Sequence, residues 1–337
     1  MKKQLEFVKP ILFCFLISLL IVASCKSNDI EELVTITVVR NSEDYNSIRN
    51  TIASIKDASE SKQYVVFVPN GIYRETDIQG KKFVKIIGEN KDETILICDP
   101  LGSMANLTSP SDYYFTEQAN KRLSEIPHYQ RHLFNLSDDI YAENITIYAK
   151  DCKYSIHLDD SRYRNVYFKN CWIKGESCNQ VIGVGLHYGQ DIRFDRCTIE
   201  GGVDLNTGIF VHNWYNQLAG NRIDLNDCDF ENCTYMIIDE LGSNQKDYIN
   251  LLNCKTNVEK SLELMVDQDG DGRTFWTNPV TGIKEADPTK VPYSFYINVK
   301  GTQIDKIFSR DSGNFSPIWT GVPQRDIDTF KKNMTGF

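Results

Sequence analysis

The sequence predicts an all-β protein wound as a right-handed parallel β-helix, with one amphipathic helix capping its N-terminal end. Three observations predict it. Similar segments recur: Ile140 to Ile147, Asn165 to Ile173, Asp191 to Ile199, Arg222 to Phe230 and Tyr248 to Thr256. Their matching positions Ile145, Cys171, Cys197, Cys228 and Cys254 are offset by 26, 26, 31 and 26 residues, the 31 reflecting a longer polar loop at 215–221. Each unit consists of short alternating runs rich in β-branched and aromatic residues, broken by Gly, Asn and Asp, which is strand patterning. No stretch of the repeat carries a 3.6-residue apolar period of helical length. A period of about 25 residues built from short strands matches one coil of a solenoid whose strands pair with their counterparts one coil away. Equal positions then stack about 4.8 Å apart. Cys171, Cys197, Cys228 and Cys254 become an inward column of free, buried thiols.

In chain order, Met1-Lys2-Lys3 and the apolar run Pro10–Ala23 read as a signal peptide over residues 1–24. Val22-Ala23-Ser24-Cys25 resembles a lipobox, so Cys25 is the expected lipidation site. The lipid would then be the sole membrane attachment, placing the protein in the outer membrane, on its surface or periplasmic side. The alternative for the same residues is an uncleaved membrane anchor. Residues 25–40 form a polar, acidic tether, whose acidic residues after the cysteine resemble the surface-export tag of Bacteroidetes lipoproteins. The β-helix is expected over 41–310, with an insertion loop at about 101–131 and an Asp/Gly loop at about 267–292. A tail follows at 311–337. Within the domain, Tyr45–Ile55 spaces its apolar residues as a helix. Strands follow at Tyr64–Tyr73, broken by a turn, then at Phe83–Gly88 and Thr94–Ile97.

That opening, Tyr-x-Ser-Ile, then Val65-Val-Phe-Val-Pro-Asn-Gly-Ile-Tyr73-Arg-Glu, then Val84-Lys-Ile-Ile-Gly-Glu-Asn90, resembles pectin methylesterases and other pectin-lyase-like β-helix proteins. The likeness covers residues 44–97 and, through the coil repeat, reaches about 257. It implies the β-helix fold and a pectin-type substrate. The family's catalytic motifs, Gln-Asp-Thr-Leu and Asp-Phe-Ile-Phe-Gly, do not carry over. Where the first would fall the chain reads Glu176-Ser-Cys-Asn-Gln180, and of the second only Asp204 matches.

A candidate site comes from the repeat itself. Aligning Leu158, Leu186, Val211 and Ile238 as the last inward residues of one strand per coil places Asp159, His187, His212 and Asp239 in one outward column. Carboxylates and imidazoles at that spacing are the groups of general acid–base catalysis and of nitrogen/oxygen metal ligation. The plainer alternative is a solvated polar ladder. Beside the column, His157, Asp160, Arg162, Tyr188, Asn213, Trp214 and Glu240 are expected to bind substrate, Arg162 against a uronate and the aromatics against sugar rings. Asp267, Asp269 and Asp271, with Gly272, resemble the start of a calcium loop, although Asn278 stands where a bidentate glutamate would close it. A structural or substrate-bridging Ca2+ is the one cofactor expected, and an acidic glycine turn is the alternative.

The formal net charge of −9, or −11 without the first 24 residues, argues against nucleic acid as a partner. The expected partner is a polysaccharide, met through a local cluster of basic groups because the chain as a whole is acidic. Two functions of different class are compatible with these residues: a lyase or carbohydrate esterase acting on an acidic, pectin-type glycan, and a glycan-binding or structural lipoprotein without catalysis.

Overall fold

The computed structural model describes residues 32–39, 46–98, 132–135, 139–160, 165–178, 180–186, 191–202, 207–212, 221–241, 246–257, 260–266, 275–277, 284–286, 294–302, 307–309, 318–321 and 324. Among them, strands assemble into three parallel sheets of ten, eight and seven strands, with one separate antiparallel pair. The chain visits the three in a fixed rotation. One coil runs Ile140–Glu143 in the ten-stranded sheet, Thr146–Lys150 in the seven-stranded sheet and Tyr154–Asp160 in the eight-stranded sheet. The next runs Asn165–Lys169, Trp172–Glu176 and Gln180–Leu186, each strand pairing in parallel with its counterpart one coil earlier. This is a parallel β-helix.

The corners explain the repeat. Between the first two strands of each coil stands a residue in the left-handed region: Asn144, Asn170, Arg196, Asp227 and Asn253, with φ of 57°, 49°, 54°, 51° and 53°. Asn and Asp tolerate that conformation best, which is why they recur there. The Asn170 amide also donates to Asn144 at 2.8 Å, and that of Asn253 to Asp227 at 3.1 Å, stapling coil to coil. The next residue turns inward: Ile145, Cys171, Cys197, Cys228 and Cys254 are all buried. Backbone bonds link them vertically, with Thr198 N–H donating to the Cys171 carbonyl at 2.9 Å and Asp229 N–H to the Cys197 carbonyl at 2.9 Å. Each thiol donates to a carbonyl of the coil before, as Cys228 does to Phe194 at 3.3 Å.

A second cysteine line, not apparent from the sequence repeat, occupies the other end of the seven-stranded sheet: Cys98, Cys152, Cys178 and Cys233. Cys152, Cys178 and Cys233 likewise follow a left-handed residue (Asp151, Ser177, Asn232), and Cys152 Sγ lies 3.4 Å from Cys98 Sγ. All eight cysteines among the described residues are free and buried. A continuous apolar cluster fills the space between the sheets, with Phe134 edge-on to Phe168 at 5.6 Å and Phe168 stacked on Phe194 at 5.5 Å.

The ends of the domain differ from the expected bounds. Glu32–Thr37, placed in the tether by its acidic neighbours, is a strand on Lys62–Val68, because its Leu-Val-Thr-Ile-Thr run alternates like the strand beside it. Ile318–Thr320, placed in the tail, adds to Ser294–Lys300. Inside the Asp/Gly loop, Phe275–Thr277 pairs antiparallel with Lys284–Ala286. The insertion loop at 101–131 lies outside the described residues.

A helix, Ser47–Ser54, buries Ile48 and Ile52 in the core. Asn46, before it, makes no side-chain cap. The buried Glu75 carboxylate does so from a distance, accepting from Ile48 N–H at 2.7 Å, Arg49 N–H at 3.3 Å and Ser47 Oγ at 3.2 Å. It thereby satisfies amide donors that a helix N-terminus leaves open. Burial nonetheless pushes the Glu75 carboxyl up to about 7.

Candidate functional site on the eight-stranded sheet

Strand register decides which predicted residues meet. Asp159 pairs with Gly185, Gly185 with His212, and His212 with Glu240. Asp239 instead aligns with Leu158, Val184 and Val211, the three of which are buried. The expected column is therefore corrected at two of its four positions: Gly185 stands where His187 was expected, and Glu240 where Asp239 was. The physical reason is local. Residues 236–238 are three successive buried apolar side chains, so the two-residue alternation that should reveal which face each residue takes is lost there. Two coils earlier, the strand Gln180–Leu186 carries Leu186 two residues beyond Val184, so the last apolar residue is not the one that pairs with Leu158, which is Val184.

His212 and Glu240 thus occupy consecutive steps of one row, about 4.8 Å apart, while Asp159 is two steps, about 10 Å, from His212. Between them Gly185 contributes no side chain. Asp160, at the strand end, aligns with Leu186. Arg162, His187, Tyr188, Asn213 and Trp214 lie outside the described residues, as do Asp267, Asp269, Asp271 and Cys25. Among the described residues, no group of three or more His, Cys, Asp or Glu side chains is placed to hold a metal ion.

The neighbouring row reads Gln79, Asn135, His157, Gly183, Phe210, Ile238. His157 was expected as an exposed substrate contact; it is only 6% exposed. Its ring stacks between His132, at 4.7 Å, and Tyr154, at 5.2 Å. His157 Nδ1 lies 3.2 Å from Asn135 Oδ1, and the Asn135 amide donates to Asp77 at 3.0 Å. Asp77 also accepts from Gln79 at 3.3 Å and lies 3.7 Å from His132 Nε2. Covered in this way, His157 is packed within a buried stack on the strand Tyr154–Asp160, which carries Asp159. Gly183 is what lets the stack form, since a Cβ there would come within 2.8 Å of the Tyr154 ring. Asp77, His132 and Asn135 were missed in the sequence because they precede the clear repeats. The one available signal was Phe134, whose register with Ile156 brings Asn135 beside His157.

No protein-family model matches the chain, and no curated protein matches it by sequence. Among solved structures it is similar to pectin methylesterase PemA from Erwinia chrysanthemi, at 13% identity and a TM-score of 0.41 over 91% of this chain and 97% of that one. It is also similar to pectin methylesterase from carrot, at 12% identity and a TM-score of 0.42 over 90% and 87%. Escherichia coli YbhC gives 10% identity and a TM-score of 0.47 over 86% and 83%. These are likenesses in the course of the chain; the β-helix assignment rests on the strand register described above.

Proposed function

We propose that the protein processes an acidic, pectin-type polysaccharide by elimination or ester hydrolysis on the outer face of the eight-stranded sheet. The observation that carries this reading is the row Asp159, Gly185, His212, Glu240. Both reactions begin with a base, which removes a proton from the uronate ring in one case and from water in the other. Imidazole is the side chain able to accept it near neutral pH. In this reading His212 is that base, and Glu240 one step along stabilises the imidazolium that forms. The open step at Gly185 receives the sugar, and Asp159 on its far side serves as acid or orienting carboxylate. Arg162, outside the described residues, would neutralise the substrate's carboxylate.

The reading includes attachment to the outer membrane through a lipid on Cys25, and Ca2+ at Asp267, Asp269 and Asp271 as a structural or substrate-bridging ion. It takes the winding as right-handed, the sense parallel crossovers adopt, and the Ser47–Ser54 helix as the cap of the open end. Incubation of the soluble chain, residues 26–337, with pectin, alginate and glycosaminoglycans separates unsaturated product from released methanol or acetate. His212→Ala should lower turnover by about 10²-fold or more with an unchanged melting temperature. Undiminished turnover removes His212 from the mechanism, and binding without any product makes the chain a non-catalytic glycan-binding lipoprotein.

A further inference from the structure

The outer face of the ten-stranded sheet carries a second feature, unconnected with the row above. Its rows are polar over several coils: Arg193, Asp224, Asn250 and Asn298 in one, and Asp195, Asn226, Leu252 and Lys300 in the next. Together with Arg196, Arg222, Asp227 and Leu251 they line a groove of about 730 Å³, within the size range of small-ligand sites.

The polar groups in the groove are held rigidly. Arg193 grips Asp195 with two bonds, Nε to Oδ1 at 2.9 Å and a terminal nitrogen to Oδ2 at 2.7 Å. Asp195 also accepts from Tyr167 at 2.5 Å and Asn226 at 2.6 Å. One coil on, Arg222 and Asn250 hold Asp224 at 2.9 Å and 2.6 Å. Asn226 and Asn250 spend their amide nitrogens on these aspartates, so each presents a carbonyl oxygen as a fixed acceptor. Two of the four cations are thus neutralised by their own aspartates. Arg196 and Lys300 are exposed and have no carboxylate within 4 Å among the described residues, although Arg196 is near enough to Glu143 to help lower that carboxyl's pKa. Residue 196 precedes the Cys197 corner and residue 300 sits three coils later, so the two cations stand about 14 Å apart along the axis. Beside the groove, Tyr248 and Tyr296 stack at 4.6 Å with 14° between the rings, and Tyr248 is 38% exposed.

We propose that this groove is a non-catalytic subsite for an acidic oligosaccharide running along the helix axis, its carboxylates met by Arg196 and Lys300. Pre-oriented carboxylate, amide and guanidinium groups match the paired hydroxyls of sugars, and an exposed tyrosine face suits a sugar ring. An isolated phosphate would call for converging cations, whereas these two lie far apart. An extended peptide would call for a free sheet edge, whereas these strands are paired on both sides. The inference stands whether or not the opposite face is catalytic. Such a subsite would hold the polymer on the protein surface between encounters with the other face.

Calorimetric titration of the mature chain with oligogalacturonate, and with neutral cello-oligosaccharide as control, tests it. The wild type should bind oligogalacturonate more tightly than the control, with an affinity that falls as salt is raised. The double variant Arg196→Ala/Lys300→Ala should bind it about tenfold more weakly or worse, and Tyr248→Ala should weaken both ligands, with melting temperatures unchanged. The variant His212→Ala should retain groove binding. Unchanged affinity in the double variant, or preference for the neutral oligosaccharide, overturns the proposal. Loss of all binding in His212→Ala alone would also overturn it, while leaving the catalytic reading of the other face intact.

Discussion

Replacing Glu75 by glutamine tests whether burial or hydrogen bonding governs the one carboxylate that caps the Ser47–Ser54 helix. Two effects oppose each other there. Three donors, Ser47 Oγ, Ile48 N–H and Arg49 N–H, favour the charged form, and removal from water favours the neutral one. Burial wins, and the carboxyl is pushed up from 4.5 to about 7. The folded chain therefore binds this proton more tightly than the unfolded chain, so the sign is that of a group destabilised by ionisation. Its contribution to stability is greatest below pH 4.5, declines through the window from 4.5 to about 7, and is gone above it. A gap of that width corresponds to about 3 kcal/mol. The side chain of the Glu75→Gln variant does not titrate. Urea unfolding of both proteins across that window should show the wild type losing about 3 kcal/mol relative to the variant between acid and neutral pH. Curves that run parallel within about 1 kcal/mol would mean that the three donors balance the burial, and the argument would fail.

Other expectations concern the core, the thiols and the anchor. Phe194→Ala, which empties a wholly buried position stacked on Phe168, should cost about 3–5 kcal/mol in urea unfolding; a cost below about 1 kcal/mol would mean the ring is not core. Ellman's reagent should find none of Cys98, Cys152, Cys171, Cys178, Cys197, Cys228, Cys233 and Cys254 in the native protein and all eight after unfolding, because each is free and buried and burial pushes the Cys233 thiol up to about 12; fewer than eight would reveal a disulfide. Gly183→Ala must displace the Tyr154 ring from His157 and should cost about 1–3 kcal/mol with a changed near-ultraviolet dichroism; a wild-type spectrum would refute the stack. Cys25→Ser should move the protein from the membrane to the soluble fraction, and retention in the membrane would refute lipid anchoring.

What the sequence revealed and what it hid follow from one difference between corners and strands. The column through Cys171, Cys197, Cys228 and Cys254 could be read without a structure because each cysteine follows directly on a turn residue that must adopt positive φ. Turn and inward side chain are locked together, so the spacing survives even the 31-residue coil. The row through Asp159 had no such anchor. It was aligned on the last apolar residue of each strand, a rule that holds only where apolar residues alternate. Met236, Ile237 and Ile238 are all buried, and the strand around Gly183 and Gly185 has no side chains to mark its outer face. His157 looked exposed for a different reason. Its parity was right, since it shares an outer row with Asn135, but parity says nothing about His132, which precedes the neighbouring strand, or Tyr154, three residues earlier on the same strand, whose rings cover it. In a solenoid, then, the inward rows are written in local sequence, whereas the outer rows depend on the register and side chains of adjacent coils. An outer-face site accordingly needs measured register before any residue in it is given a role.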